Sequence, residues 1–180
     1  LAVNKPRGIV CTEERRERDS IVRFLNYPVR ITYVGRLDKD SEGLLLMTNN
    51  GDIINRMMRA ANKHEKEYKV TVDKPVTDEF LKEMAGGVPI LDTVTRPCQV
   101  EKLGKYKFKI ILTQGLNRQI RRMCEALGYE VKELRRVRIM NIELGNLKPG
   151  EYRRVTDQEL NELYELIRDS KSEPTPWNNN

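Results

Sequence analysis

Three carboxylates crowd one short stretch of this sequence: Asp38, Asp40 and Glu42, with Gly35 and Gly43 on either side. Carboxylates at alternate positions, with Gly sixth, open an EF-hand calcium loop. Such a loop closes on a bidentate Glu in twelfth place, which here is Asn49, and an apolar run, Leu44 to Thr48, follows where a helix belongs. A plain turn-shaping role for Asp38 is a second reading. A chemical role has its own argument. Arg36 and Asp38 lie two apart, so in an extended segment they point the same way. A carboxylate beside a guanidinium stays ionised and is available as a nucleophile or base. Two glycine hinges and a stiff apolar strand behind would hold it in place.

Two further groupings carry polar chemistry. Lys66 and Tyr68 alternate on a predicted strand and so face one way, although a strand tyrosine can equally pack in the core. Arg118, Arg121 and Arg122 are spaced to share one helical face, directly after Asn117, read as the helix cap. A helix N-terminus favours phosphate, whereas a plain solvated face is the alternative. A second basic run holds Lys132, Arg135, Arg136 and Arg138, while Asp157, Glu159, Glu162 and Glu165 make the C-terminal segment acidic. The net charge of +6 is modest. Its distribution, a basic face set against an acidic helix, points to a polyanionic partner on one side.

Composition narrows the field. With 180 residues, 38% apolar and 33% charged, the chain can bury one sizeable core or two small lobes. No apolar stretch is long enough to span a membrane, and no secretory signal is visible. Cys11, Cys98 and Cys124 are scattered and odd in number, which suits packing in a reduced, cytoplasmic setting rather than a disulfide framework. His64 is the sole histidine, so a metal site would need an unusual ligand set. The expectation is therefore no cofactor and no metal. Leu1 stands in place of Met inside a strand-like run, so the natural N-terminus is expected upstream.

The elements that must position these residues follow from local signals. Residues 1–11 read as extended, with a turn at Pro6 and Gly8. Asp19 or Ser20 caps a short helix through Asn26, and 30–34 form a strand. The polar loop 35–43 leads into Leu44–Thr48, a strand buried on both faces. Asn50-Gly51 marks a turn before a helix with Ile53, Ile54, Met57, Met58 and Ala61 on one stripe. Glu67–Val72 is a strand, and Thr77 caps a helix stopped by Gly86-Gly87. Strands over 93–101 and 105–113 form a hairpin around Gly104. Asn117 starts a helix reaching Leu127, and residues 129–144 read as extended segments. Thr156 and Glu159 form a capping box for a last helix through Arg168. The polar stretch 169–180 is expected to be disordered. Without strict βαβ alternation, the fold class is α+β with a mixed, mostly antiparallel sheet.

The residues also carry a resemblance. Gly35-Arg36-Leu37-Asp38, followed by Ser41-x-Gly43-Leu44-Leu45-Leu46-x-Thr48-Asn49-x-Gly51, resembles the catalytic motif of the RsuA-type ribosomal RNA pseudouridine synthases. Asn4-Lys5-Pro6-x-Gly8 resembles that family's first motif, Lys66-Glu67-Tyr68 its lysine-x-tyrosine motif, and Asn117 to Met123 its third. The motifs run in order from about residue 3 to 167. Glu65 to Tyr68, Gly87 to Leu91 and Arg138 to Asn141 are most similar to the RluF subgroup, which modifies large-subunit 23S ribosomal RNA.

The resemblance implies the pseudouridine synthase fold over 1–168, flanking helices and a central RNA-binding cleft. The small S4-like domain that usually precedes it is absent from this chain. It implies a monomer that flips a uridine out of structured, stem-loop ribosomal RNA and isomerises it. Asp38 becomes the catalytic carboxylate, Tyr68 lies against the target base, and Arg121 forms a salt bridge to Asp38. Arg36 fills the gap left by the flipped base, and Lys66, Arg118, Arg122, Asn4 and Lys5 join it in binding RNA. Two rival readings stay open: an RNA-binding or ribosome-assembly module without catalysis, and a calcium-binding or metal-dependent nuclease domain built on Asp38, Asp40 and Glu42.

Overall fold

A computed structural model describes residues 1–168; the expected polar tail, 169–180, lies outside the described residues. Eleven strands and five helices are present among them. Nine strands form one sheet, in which β11 (Tyr152–Arg153), β1 (Ala2–Lys5), β3 (Glu42–Thr48), β9 (Val131–Ile139), β4 (Lys66–Val72), β8 (Lys107–Leu112) and β7 (Gln99–Gly104) lie side by side. β2 (Thr32–Val34) adds to β3 and β10 (Ile142–Glu143) to β9, while β5 (Pro89–Ile90) and β6 (Thr93–Val94) make a separate hairpin. Every pairing is antiparallel except β3 with β9. The fold is α+β with a mixed, mostly antiparallel sheet. Among the described residues no helix is long and apolar enough to cross a membrane.

The sheet is covered unequally. α2 (Gly51–Ala60) and α5 (Asp157–Ile167) close one face through Ile53, Met57, Ala60, Leu163 and Ile167, against Leu44 and Leu46. Alternation then sends Leu45 and Met47 to the other face, where they meet Val3, Leu37 and Ile21 of α1 (Ile21–Leu25). Further along that same face, α3 (Asp78–Gly86) and α4 (Gln119–Ala126) pack Phe80, Met84, Ile120 and Met123 on Val70, Phe108 and Leu134. One face thus carries two apolar clusters with a seam between them.

Most helix starts rest on their own side chains. Ser20, Asn50, Thr77 and Thr156 accept hydrogen bonds from exposed backbone amides one turn on, and Glu159 completes the capping box. Three expectations need correction. Asn50 is a cap rather than only a turn residue, so α2 begins at Gly51. Asn117 does not cap α4: the cap is Arg118, in left-handed backbone (φ 47°) with no side-chain cap bond. The strand expected over 93–101 is two pieces, because Leu91 and Asp92 both take positive φ and fold residues 89–94 into a tight hairpin of their own. The extended segments expected over 129–144 are β9 and β10, joined at Met140 with φ 53°.

Candidate active site

Lys5, Gly43, Arg136 and Tyr68 stand in one row across β1, β3, β9 and β4. Residues paired across strands share a face, so Lys5, Arg136 and Tyr68 rise into the seam between the two apolar clusters. At Gly43 (φ +110°) an added Cβ would sit 2.2 Å from the Arg136 carbonyl oxygen. Only glycine permits the single parallel contact of the sheet here, with the polar loop entering directly from the Asp38 side.

The loop itself is tied down residue by residue. The Leu37 amide donates to Cys11 Sγ (3.5 Å). The Asp38 carbonyl accepts from the Ser41 amide (3.1 Å) and that of Lys39 from the Gly8 amide (2.7 Å). The Asp40 carbonyl accepts from Arg121 Nη2 (2.9 Å), which also reaches Ser41 Oγ (3.2 Å). Leu37 is buried in the core, Arg36 on one side of it is exposed and Asp38 on the other is half-buried. The glycine hinges are real: Gly35 and Gly43 both have positive φ.

The guanidinium groups are arranged differently from expectation. Arg118, not Arg121, meets Asp38, with Nη1 3.2 Å from Oδ2. Arg118 also grips Asp40 with two bonds, Nη1 to Oδ1 at 3.1 Å and Nη2 to Oδ2 at 2.9 Å. Arg121 lies deeper, 8% exposed, with Nη1 3.5 Å from Asp40 Oδ2. Three residues along the helix start separate a surface reach from a buried one, and the left-handed Arg118 backbone (φ 47°) turns that side chain over the loop. Arg122 folds back on Asn117, donating to its carbonyl and its side-chain oxygen (both 3.0 Å). Glu42 is met by Arg135 at 3.3 Å, so each of the three loop carboxylates faces a guanidinium.

Burial raises the Asp38 pKa above the ordinary carboxylate value, with Asp40 adding to the rise while Arg118, Arg121 and Arg36 oppose it. Arg36, expected to keep Asp38 ionised, does favour the charged form, but its charge is the weakest of these influences. The Arg118 hydrogen bonds hold Asp40 below the ordinary value.

Three residues expected to touch RNA are instead enclosed. Asn4 is 4% exposed and donates to the Leu147 carbonyl (2.9 Å). Lys5 is wholly buried, its ammonium bound to the carbonyls of Pro6 and Ile9 (2.9 and 2.6 Å). Lys66 is 3% exposed and donates to the carbonyls of Ala61 and Thr113 (2.7 and 3.4 Å). Burial pushes Lys5 down to about 8 and Lys66 to about 7. These side chains brace the turns that flank the seam. Tyr68 is buried beside Arg136 and belongs to one of the two apolar clusters. The basic run 132–138 is not one face: Arg136 is fully buried with Nε on the Leu44 carbonyl (2.9 Å), and Arg138 pairs with Glu65 and Glu67. Asp40, Ser41 and Arg136 are the site residues that sequence reasoning left unassigned; the alternation of Arg136 with Leu134 on a strand was the available signal.

Residues 1–126 match the family model described as RNA pseudouridylate synthase. The chain belongs to this family. It is 57% identical over 176 residues to the dual-specificity RNA pseudouridine synthase RluF of Escherichia coli (strain K12), a match covering 98% of this chain and 61% of that protein. The chain therefore spans about three fifths of the length of that curated relative. It is 36% identical to the ribosomal small subunit pseudouridine synthase A of Yersinia pestis, over 88% of this chain and 69% of that one. A crystal structure of a pseudouridylate synthase superposes with a TM-score of 0.81 at 34% identity, covering 90% of this chain and 72% of its own. The pseudouridylate synthase family thus accounts for the fold and for the ordered motifs that converge on the Asp38 loop.

Proposed function

We propose that this chain isomerises a uridine of structured 23S ribosomal RNA to pseudouridine, with Asp38 as the catalytic carboxylate. The observation that carries this reading is the Asp38 loop: backbone groups of Leu37, Lys39 and Asp40 are hydrogen-bonded to Cys11, Gly8 and Arg121 outside it, and the Asp38 carbonyl closes on the Ser41 amide within it. A carboxylate held that firmly, half open to the seam, is pre-set for reaction. Detaching uracil and rejoining it through carbon is redox-neutral, so the step itself calls for no electron carrier. Attack at the sugar, addition to the ring and proton abstraction from the sugar all need ionised Asp38. The reacting atoms are hidden in a stacked helix, so the base must be flipped out. Tyr68 lies beside the flipped base, and exposed Arg36 takes the gap it leaves. Arg122 meets phosphate at the mouth, Arg118 stays on the two aspartates, and Arg121 fixes the loop through the Asp40 carbonyl and Ser41.

The test uses a 23S ribosomal RNA stem-loop, wild-type chain and Asp38→Asn, with pseudouridine read by carbodiimide labelling and primer extension. Wild-type chain is expected to convert the uridine, and the variant to bind the RNA and leave it unchanged. If both bind and neither converts, the non-catalytic RNA-binding module replaces this reading.

A further inference from the structure

We propose that Asp40 is a positioning carboxylate for Asp38: it takes the Arg118 guanidinium with both oxygens and so keeps that cation from closing on the reactive carboxylate. The inference rests on Asp38 being that reactive group.

The geometry is unequal. Asp40 receives two bonds from Arg118 in a fork-on-fork pair, at 3.1 and 2.9 Å, whereas Asp38 receives one, at 3.2 Å. Paired donors of this kind are the stronger and more directional contact. Arg118 also sits at φ 47° without being glycine, a conformation that persists only where surrounding contacts enforce it. Asp40 is itself immobilised, because Arg121 Nη2 holds its carbonyl at 2.9 Å. Arg121 Nε is buried with no hydrogen-bond partner among the described residues, so that side chain is committed to the loop by its terminal nitrogens.

The other charges near the pair are arranged around this bridge. Lys5 of β1 faces both carboxylates but is bound to its own turn. Arg36 lies on the same loop, and Glu42 is occupied by Arg135. Arg7 faces Arg121, and Glu125 faces Arg118 from within α4. Arg118 alone among these bridges both aspartates. The outcome is a division: Arg118 holds Asp40 in its charged form, while burial and the Asp40 charge make Asp38 the more basic of the two. Two carboxylates driven apart in this way take separate roles.

Asp40→Asn keeps the shape and removes the charge. Asp38 is then the remaining aspartate within reach of Arg118, and the like charge beside it is gone. Carboxyl-carbon NMR on the 180-residue chain should show Asp38 titrating lower by about one pH unit in the variant. The acid limb of single-turnover conversion should move down with it, and the plateau should fall by roughly tenfold, because attack must first break a charge-assisted pair. Asp40→Glu restores the charge and should return both readouts toward wild type. In an Arg118→Gln background, Asp40→Asn should lose its effect on the plateau and keep only the part of the titration shift that comes from the lost like charge. An Asp38 titration that is unchanged or higher in Asp40→Asn overturns the proposal, as does failure of Asp40→Glu to restore it. The NMR titration needs no turnover: if it shifts as expected while wild-type chain converts no uridine, the reaction assigned to Asp38 fails and the Asp40 coupling stands.

Discussion

At the scale of single residues, the site depends on where backbone and guanidinium groups come closest. Gly43 is the sharpest case. It combines a left-handed φ of +110° with a position where any Cβ would lie 2.2 Å from one Arg136 backbone atom and 2.7 Å from another. Both obstacles are backbone, so no side-chain rotation relieves them. Gly43→Ala must separate β3 from β9 or unwind the start of β3, which is also the end of the Asp38 loop. The expected result is a loss of roughly 3 kcal/mol or more in urea unfolding, at the upper end for a single substitution, with conversion lost along with it. Gly8→Ala is the comparison. Gly8 also has positive φ, yet no atom lies within 4 Å of an added Cβ, so its cost should be confined to backbone strain of about 1 kcal/mol.

At the scale of elements, one acid, Glu159, ties the start of α5 to the sheet beside the apolar contacts of Leu163 and Ile167. Glu159 accepts two bonds from Arg153 of β11 (2.7 and 2.9 Å) and one from the Thr156 amide (2.9 Å). Those contacts, the Arg153 bonds first, bring its pKa down from 4.5 to about 2. A depressed carboxyl contributes stability that is complete above its unfolded value and lost as pH falls through its folded one. The contribution should therefore fade between about pH 4.5 and about 2. Glu159→Gln should cost about 1 kcal/mol at neutral pH, a figure kept small because the pair is partly open to water, and should flatten stability over that acid window. Urea midpoints taken from pH 2 to 7 check both. Caps of this kind were legible in the sequence, since Ser20, Thr77 and the Thr156–Glu159 box act on amides within one turn of themselves. The start of α4 was not, because Arg118 is held by aspartates eighty and seventy-eight positions earlier in the chain. The same distance hid which arginine meets Asp38, as Arg118 and Arg121 are one type on one helix end. β9 misled for another reason. Alternation with Leu134 turns Arg136 inward, and a register shift between Glu67 and Tyr68 sets Arg138 opposite Glu67, so a run of like charges concealed one buried brace.

At the scale of the whole molecule, the net charge of +6 overstates what is open to a polyanion and yet places it well. Arg135, Arg138 and Arg153 are neutralised by Glu42, by Glu65 and Glu67, and by Glu159, while Lys5, Lys66 and Arg136 are buried. What remains beside the seam is Arg7, Arg36 and Lys39, exposed on the loops that meet there, with Arg118 and Arg122 half-buried at the mouth. Arg118 is shared with two carboxylates, so about four cations are left to meet phosphate. Each phosphate neutralised releases counterions, giving a slope of roughly −0.7 to −0.9 in log affinity against log salt. A stem-loop substrate should therefore bind with a slope of about −3, measured by fluorescence anisotropy from 50 to 300 mM salt, on the order of the range where such slopes are resolved. Arg36→Gln and Arg122→Gln should each lower the slope by nearly one, because each removes a mouth cation. Arg135→Gln should leave it unchanged, since that charge is already paired with Glu42. A slope near −6 or steeper would mean that the paired arginines open to the RNA, and that the sheet edge, rather than the seam alone, forms the binding surface.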